Sequence, residues 1–238
     1  MREIIITIRP TLKDIDNPSR MEDIINKTER VIDENMWLCL ETVGEKVLEF
    51  AHENAENGYH GVRYSGNAPV VWPARDEDTD ALYRASPYHT EGLSGLDTGR
   101  RKLLDSLERL GDDNIFDVGH REIDIGTRFR HAAILEKGGI RSMSPNIGFT
   151  EGGAPRKWLV EAMAAGLISP ERVNEIREKF MQPRYVPPRP FLLPAVSHIR
   201  DTEQHTGIVA SIIEKKIQST LSSDKIKVNS GDGIIVYE

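Results

Sequence analysis

Five residues near the middle of the chain are of the types that hold metals and move protons: His120, Glu122, Asp124, His131 and Glu136. Metal-dependent hydrolysis is the chemistry such a set would carry. Glu122 and Asp124 alternate on a short strand, which puts both acids on one face. His131 and Glu136 lie five positions apart on a helix and share no face well. No His-Glu-x-x-His or Cys-x-x-Cys spacing occurs. A Ser/His/Asp reading lacks a nucleophile motif. Cys39 sits among apolar neighbours inside a helix, where a core thiol is expected rather than a reactive one. No catalytic residue, metal or cofactor is therefore expected.

Two further groups could take anions. Thr98-Gly99-Arg100 opens a helix, and helix N-termini bind phosphate. With one glycine and no following Lys-Ser/Thr, however, Thr98 reads as a helix cap. Arg128, Arg130 and His131 could meet DNA, or they could be solvated or face another subunit.

A different kind of element lies at Val186-Pro187-Pro188-Arg189-Pro190-Phe191-Leu192-Leu193-Pro194. The prolines fix φ and remove donors, so Pro187 to Pro190 is neither helix nor central strand. It is an extended strap delivering Phe191, Leu192 and Leu193 to the start of a helix. Each buried Phe or Leu contributes roughly 1.5–3 kcal/mol. Two readings stand for the tips: docking onto another molecule, or closing the core of their own subunit. Arg189 is equally open between a carboxylate of its own chain and an interface, where arginine is enriched.

The surrounding elements follow from periodicity and breakers. Ile4 to Ile8 reads as a strand ending at Pro10. A helix opens at Asn17-Pro18-Ser19, with Ser19 and Glu22 spaced as a capping box, and runs to about Asn57 before Gly58, with a kink expected near Gly44. Tyr59 to Gly95 reads as a long loop with a solvated run at Arg75-Asp76-Glu77-Asp78, in which Trp72 and Tyr88 are the residues expected to be buried. A helix from Thr98 through Leu110 would carry Leu103, Leu104, Leu107 and Leu110 on one side. Asn114 to Val118 and Glu122 to Thr127 form a hairpin about Gly119-His120-Arg121, and Arg130 to Lys137 a short helix closed by Gly138-Gly139. Arg156 to Gly166 and Pro170 to Gln182 make a helical pair, with Ser169-Pro170 supplying a cap and an N1 proline. After the strap comes a helix from about Ser197 to Leu221. Lys225 to Asn229 and Ile234 to Tyr237 then read as a hairpin.

The 238 residues suit a single α+β domain over 1–238. In it a long N-terminal helix packs on a small antiparallel sheet and a second long helix follows near the C-terminus. The loop 59–95 and a helical insertion, 156–182, are additions to that frame. A net charge of −7 argues against gripping nucleic acid by its phosphates. One cysteine allows no internal disulfide and suits a reducing compartment. No apolar run approaches the ~20 residues of a membrane span, so a soluble protein is expected.

The ordered set resembles the tail-completion and virion-morphogenesis proteins of tailed bacteriophages. The resemblance rests on Trp72-Pro73 with Thr79, Asp97-Thr98-Gly99-Arg100-Arg101 followed by Ser106-Leu107, Ile123-Asp124-Ile125-Gly126-Thr127, His131-Ala132-Ala133 with Glu136-Lys137-Gly138-Gly139, and Val186-Pro187-Pro188-Arg189-Pro190-Phe191-Leu192. It covers roughly residues 20–140 and 185–220. In this chain Ser106 lies farther from Thr98 than the family pattern has it, Pro188 stands where alanine is usual, and 156–182 and the C-terminal hairpin are extra.

The resemblance implies a non-enzymatic ring of identical copies that joins the tail to the head-side connector around the DNA channel. A tail terminator or another neck adaptor is the alternative in the same particle. Implied partners are further copies of itself, tail terminator or tail-tube proteins, connector or stopper proteins, and genomic DNA passing without sequence-specific binding; no membrane is involved. The implied location is the virion, after assembly in the host cytoplasm. Assembly candidates are Arg189, Pro190, Phe191, Leu192, Trp72, Tyr88, Thr98, Arg100, Arg128, His131 and Glu136.

Overall fold

A computed structural model describes residues 3–5, 18–58, 61–67, 70–74, 76–86, 103–129, 132–141, 148–150, 152–180, 182–223 and 235–237. Tyr88, Thr98, Arg100, Arg130, His131 and the 225–229 strand lie outside them. The architecture is mixed α+β, with a long N-terminal helix, small two-stranded antiparallel sheets and a helix near the C-terminus. The chain divides into two compact units, one of Met1–Lys46, Phe116–Asp124 and Thr202–Glu238, the other of Val47–Ile115 and Ile125–Asp201.

The long helix α1, Pro18–Asn57, supplies its N-terminal part to the first unit and its last turns to the second. Ser19 lies inside the helix and not at the expected cap. Gly44 is explained by packing. A Cβ there would run into the side chains of Phe116 and Ile123, so the missing side chain lets α1 lie against the hairpin of β2, Asn114–Val118, and β3, Ile123–Thr127. That hairpin is as expected, closed by the Gly119 N–H donating to the Glu122 carbonyl.

In the same unit, Val31 and Cys39 of α1 pack with Ile213, Ile217 and Leu221. The last three recur every fourth residue along α7, Gln204–Ser223, forming one apolar stripe. The terminal strands β1, Glu3–Ile5, and β6, Ile235–Tyr237, pair antiparallel, Ile4 opposite Val236. Ile235–Tyr237, read from sequence as one arm of a C-terminal hairpin, is a strand whose partner among the described residues is β1 at the other end of the chain.

The second unit holds the rest. The stretch read as a loop contains α2, Glu77–Ala85. Asp76 caps it, accepting the Thr79 N–H at 2.9 Å and the Thr79 hydroxyl at 2.7 Å. Asp78 is no solvated charge: it binds Arg172 at 2.5 Å and Lys179 at 2.8 Å.

The segment 156–182 forms α4, Lys157–Ala164, and α5, Pro170–Phe180, with the Ser169 hydroxyl accepting the Arg172 N–H as foreseen. These helices bury Trp158, Leu159, Ala162, Val173 and Ile176 against Leu82, Ala85 and Phe149, so they build core and do not merely decorate it.

The expected helix through Leu110 is a single 3₁₀ turn, Asp105–Leu107, among the described residues of that segment. Leu103 and Leu107 are buried, whereas Leu110 is fully out in solvent. The Ser106 hydroxyl donates to the Leu103 carbonyl at 2.7 Å. A local bond of that kind competes with helix extension.

Three short elements then frame the strap: α3, Ala132–Lys137, and the ribbon of β4, Gly139–Arg141, with β5, Arg184–Val186. The helix after the strap is two helices. α6 runs Leu192–Asp201, and α7 follows a break at Thr202–Glu203, where Glu203 adopts φ 59°. A left-handed residue of this kind stops a helix.

Candidate functional site

The second unit gathers most of the described assembly candidates around the proline strap. Among Pro187 to Pro190 only Arg189 has a backbone N–H, and it donates to the Leu135 carbonyl of α3 at 2.6 Å. The Pro190 carbonyl accepts the Trp72 indole N–H at 2.9 Å. The Phe191 carbonyl accepts the side-chain amide of Asn54 at 3.1 Å. Glu136 then receives three successive N–H groups in one carboxylate: Phe191 at 2.9 Å, Leu192 at 3.2 Å and Leu193 at 2.7 Å. An anion at the start of α6 meets both the orphan donors and the positive end of the helix dipole.

Gly138, at φ 70°, completes the device. It ends α3 in a left-handed turn. A Cβ there would meet the Pro188 nitrogen at 2.9 Å and the Val186 carbonyl at 3.0 Å. The Glu136-x-Gly138 ending and the strap are therefore two halves of one clasp. Glu136 holds the strap's exit while Gly138 makes room for its middle.

Phe191 is 1% exposed, so the strap's aromatic tip closes its own chain's core and is not a docking knob. Arg189 is buried as well, and its guanidinium turns inward to the Pro73 and Ala74 carbonyls at 3.5 Å each. Trp72 is buried, with its ring lying on Gly58 at the end of α1 where no side chain would fit. Pro190, Leu192 and Glu136 are half-buried. Arg128 is exposed, bound through its backbone N–H to the Asp113 carbonyl, and stands outside the clasp. Tyr88, Thr98, Arg100 and His131 lie outside the described residues.

Asn54 is the residue that motif reading missed. It is fully buried, and besides Phe191 it holds Tyr64 through both the N–H and the carbonyl, at 2.9 and 2.8 Å. One signal for it is in the sequence: Val47, Ala51, Asn54 and Ala55 lie on one helical face, and a polar residue on a buried face must be satisfied. Beside it, Phe50 stacks on Tyr64 at 3.9 Å, and His198 of α6 stands edge-on to both rings.

The described members of the hydrolase set, His120, Glu122, Asp124 and Glu136, do not come together as a metal-binding group. Glu136 is committed to backbone N–H groups, and His120 and Glu122 are exposed at the hairpin turn. Among the described residues no group of three His, Cys, Asp or Glu could hold a metal ion. Ser106 instead meets Thr127, whose hydroxyl donates to the Ser106 oxygen at 2.7 Å. No described helix is long and apolar enough to cross a membrane. No protein-family model, no curated protein and no solved structure matches the chain.

Proposed function

We propose that this chain is a structural virion protein of a tailed phage, a tail-completion or neck component that forms a ring joining the tail to the head-side connector around the DNA channel. The observation that supports this reading is the clasp. The residues carrying the family resemblance in three separate stretches, Trp72, Glu136 with Gly138, and Arg189-Pro190-Phe191, converge on one strap. Their hydrogen bonds go to backbone groups, which suits a scaffold whose work is done by contact area and shape.

Disrupting the coding sequence in its phage is the test. The expected outcome is separate filled heads and finished tails in electron micrographs of lysates, rejoined when the protein is supplied from a plasmid. Intact infectious particles without the protein would overturn the proposal.

A further inference from the structure

The end of α1 carries a reactive pair that the clasp covers without using. Asn57-Gly58 is the one Asn-Gly dipeptide in the chain. Such a pair can modify itself. The backbone nitrogen of Gly58 loses its proton and attacks the side-chain Cγ of Asn57. A C–N bond forms, and the Cγ–Nδ2 bond breaks to release ammonia. Water then opens the cyclic imide at either carbonyl and leaves aspartate or isoaspartate at position 57. Glycine is the fastest following residue because no Cβ hinders the attacking nitrogen.

Three features of the fold hold this reaction off. Side chains in a helix lean towards its N-terminus, and the Asn57 amide is fixed that way, its Nδ2 donating to the Glu53 carbonyl at 3.1 Å. Cγ therefore faces away from the nitrogen that must reach it. Gly58 is buried, which disfavours the deprotonated amide that attacks. The Gly58 carbonyl also accepts the N–H groups of Gly61 at 3.2 Å and of Trp72 at 3.5 Å, and a Cβ on Gly58 would lie 2.3 Å from the Trp72 ring. The two residues cannot rotate into line until Trp72 lifts. The same contact keeps the reactive pair in place: only glycine fits beneath the indole, while Asn57 itself is exposed to water.

We infer that Asn57-Gly58 is a self-modification site gated by the clasp, losing ammonia only in chains whose Trp72 has left Gly58. The product is a permanent record of that opening. Aspartate sets a carboxylate at the C-terminal end of α1, against the helix dipole. Isoaspartate adds a methylene to the backbone directly before Gly58 and shifts it from beneath the ring. Trp72 also holds the Pro190 carbonyl, so the modified turn loosens the exit of the strap as well. A chain that opens repeatedly is thereby kept from closing. The site stands whether or not the copies form a ring.

The test is peptide mapping by mass spectrometry after incubation in mildly alkaline buffer. Wild type is compared folded and unfolded in guanidinium chloride, alongside Trp72→Phe and Cys39→Ala, both shown to be folded by circular dichroism. Asn57→Gln locates the signal, since the longer side chain closes a ring far more slowly. The unfolded chain should convert Asn57 readily, and folded wild type at least about tenfold more slowly. Trp72→Phe should react about fivefold faster than folded wild type, or more, because the rate follows the open population. Cys39→Ala, which weakens the other compact unit, should keep the wild-type rate. Folded wild type reacting as fast as the unfolded chain would overturn the gate. A slow rate unchanged in Trp72→Phe, or equal acceleration in Cys39→Ala, would overturn the role of the clasp. An unreactive unfolded chain would remove the site.

Discussion

The indole N–H of Trp72 donates to the carbonyl oxygen of Pro190 at 2.9 Å, joining positions 118 residues apart. The bond matters because Pro190 sits where the strap turns into α6 and its neighbours can offer few donors. Trp72→Phe keeps an aromatic ring over Gly58 but leaves that carbonyl without its donor. The expected cost is about 2 kcal/mol, combining the lost bond with some lost packing. Urea unfolding followed by circular dichroism measures it. An unchanged midpoint would mean that the strap is held without this bond.

Glu136 makes the stronger claim. Its carboxylate serves three consecutive N–H groups, so charge and acceptor number both count. Glu136→Gln keeps the shape but loses the charge and one acceptor oxygen, and should cost about 1 kcal/mol; Glu136→Ala should cost about 3 kcal/mol. Amide exchange at Phe191, Leu192 and Leu193 should speed up in the same order. Equal exchange in all three proteins would show that the α6 terminus does not depend on this side chain.

Gly44 predicts a conflict between two opposed effects. Alanine in a helix interior gains about 1 kcal/mol over glycine. Yet a Cβ here would collide with Ile123 and crowd Phe116. Overpacking of that kind costs about 1–3 kcal/mol. Gly44→Ala should therefore be net destabilising, and adding Ile123→Val should recover part of the loss. A double-mutant cycle reads the coupling. Simple additivity would place the hairpin away from this turn of α1.

What was legible in the sequence was what local chemistry dictates. Gly58 follows the last residue of α1, Gly119-His120-Arg121 turns the hairpin, and Ser169-Pro170 starts α5, each through backbone rules acting over a few residues. The misses are long-range. α6 begins at Leu192 and not near Ser197 because Glu136, 56 residues upstream of Leu192, caps it. β6 finds β1 at the far end of the chain, which no turn signal announces. The strap falls between the two. Proline stiffness says that Phe191 is delivered to a fixed place, but only the positions of Asn54, Trp72 and Glu136 say that the place is its own core.

Cys39 offers a prediction in pH. Burial among Val31, Ile213 and Ile217 pushes its thiol above the ordinary value, because the thiolate is poorly solvated there. The native protein holds that proton while the unfolded chain releases it, so protons bound in the native state exceed those bound in the unfolded state. Stability from this residue is complete below the ordinary thiol range and is lost as pH rises from there through the raised native value. Two measurements follow. Iodoacetamide should label the folded chain slowly and the urea-unfolded chain quickly, and Cys39→Ala should have a shallower alkaline loss of stability than wild type, although it is less stable at neutral pH. Fast labelling of the folded protein at neutral pH would mean that α1 and α7 open readily at this contact.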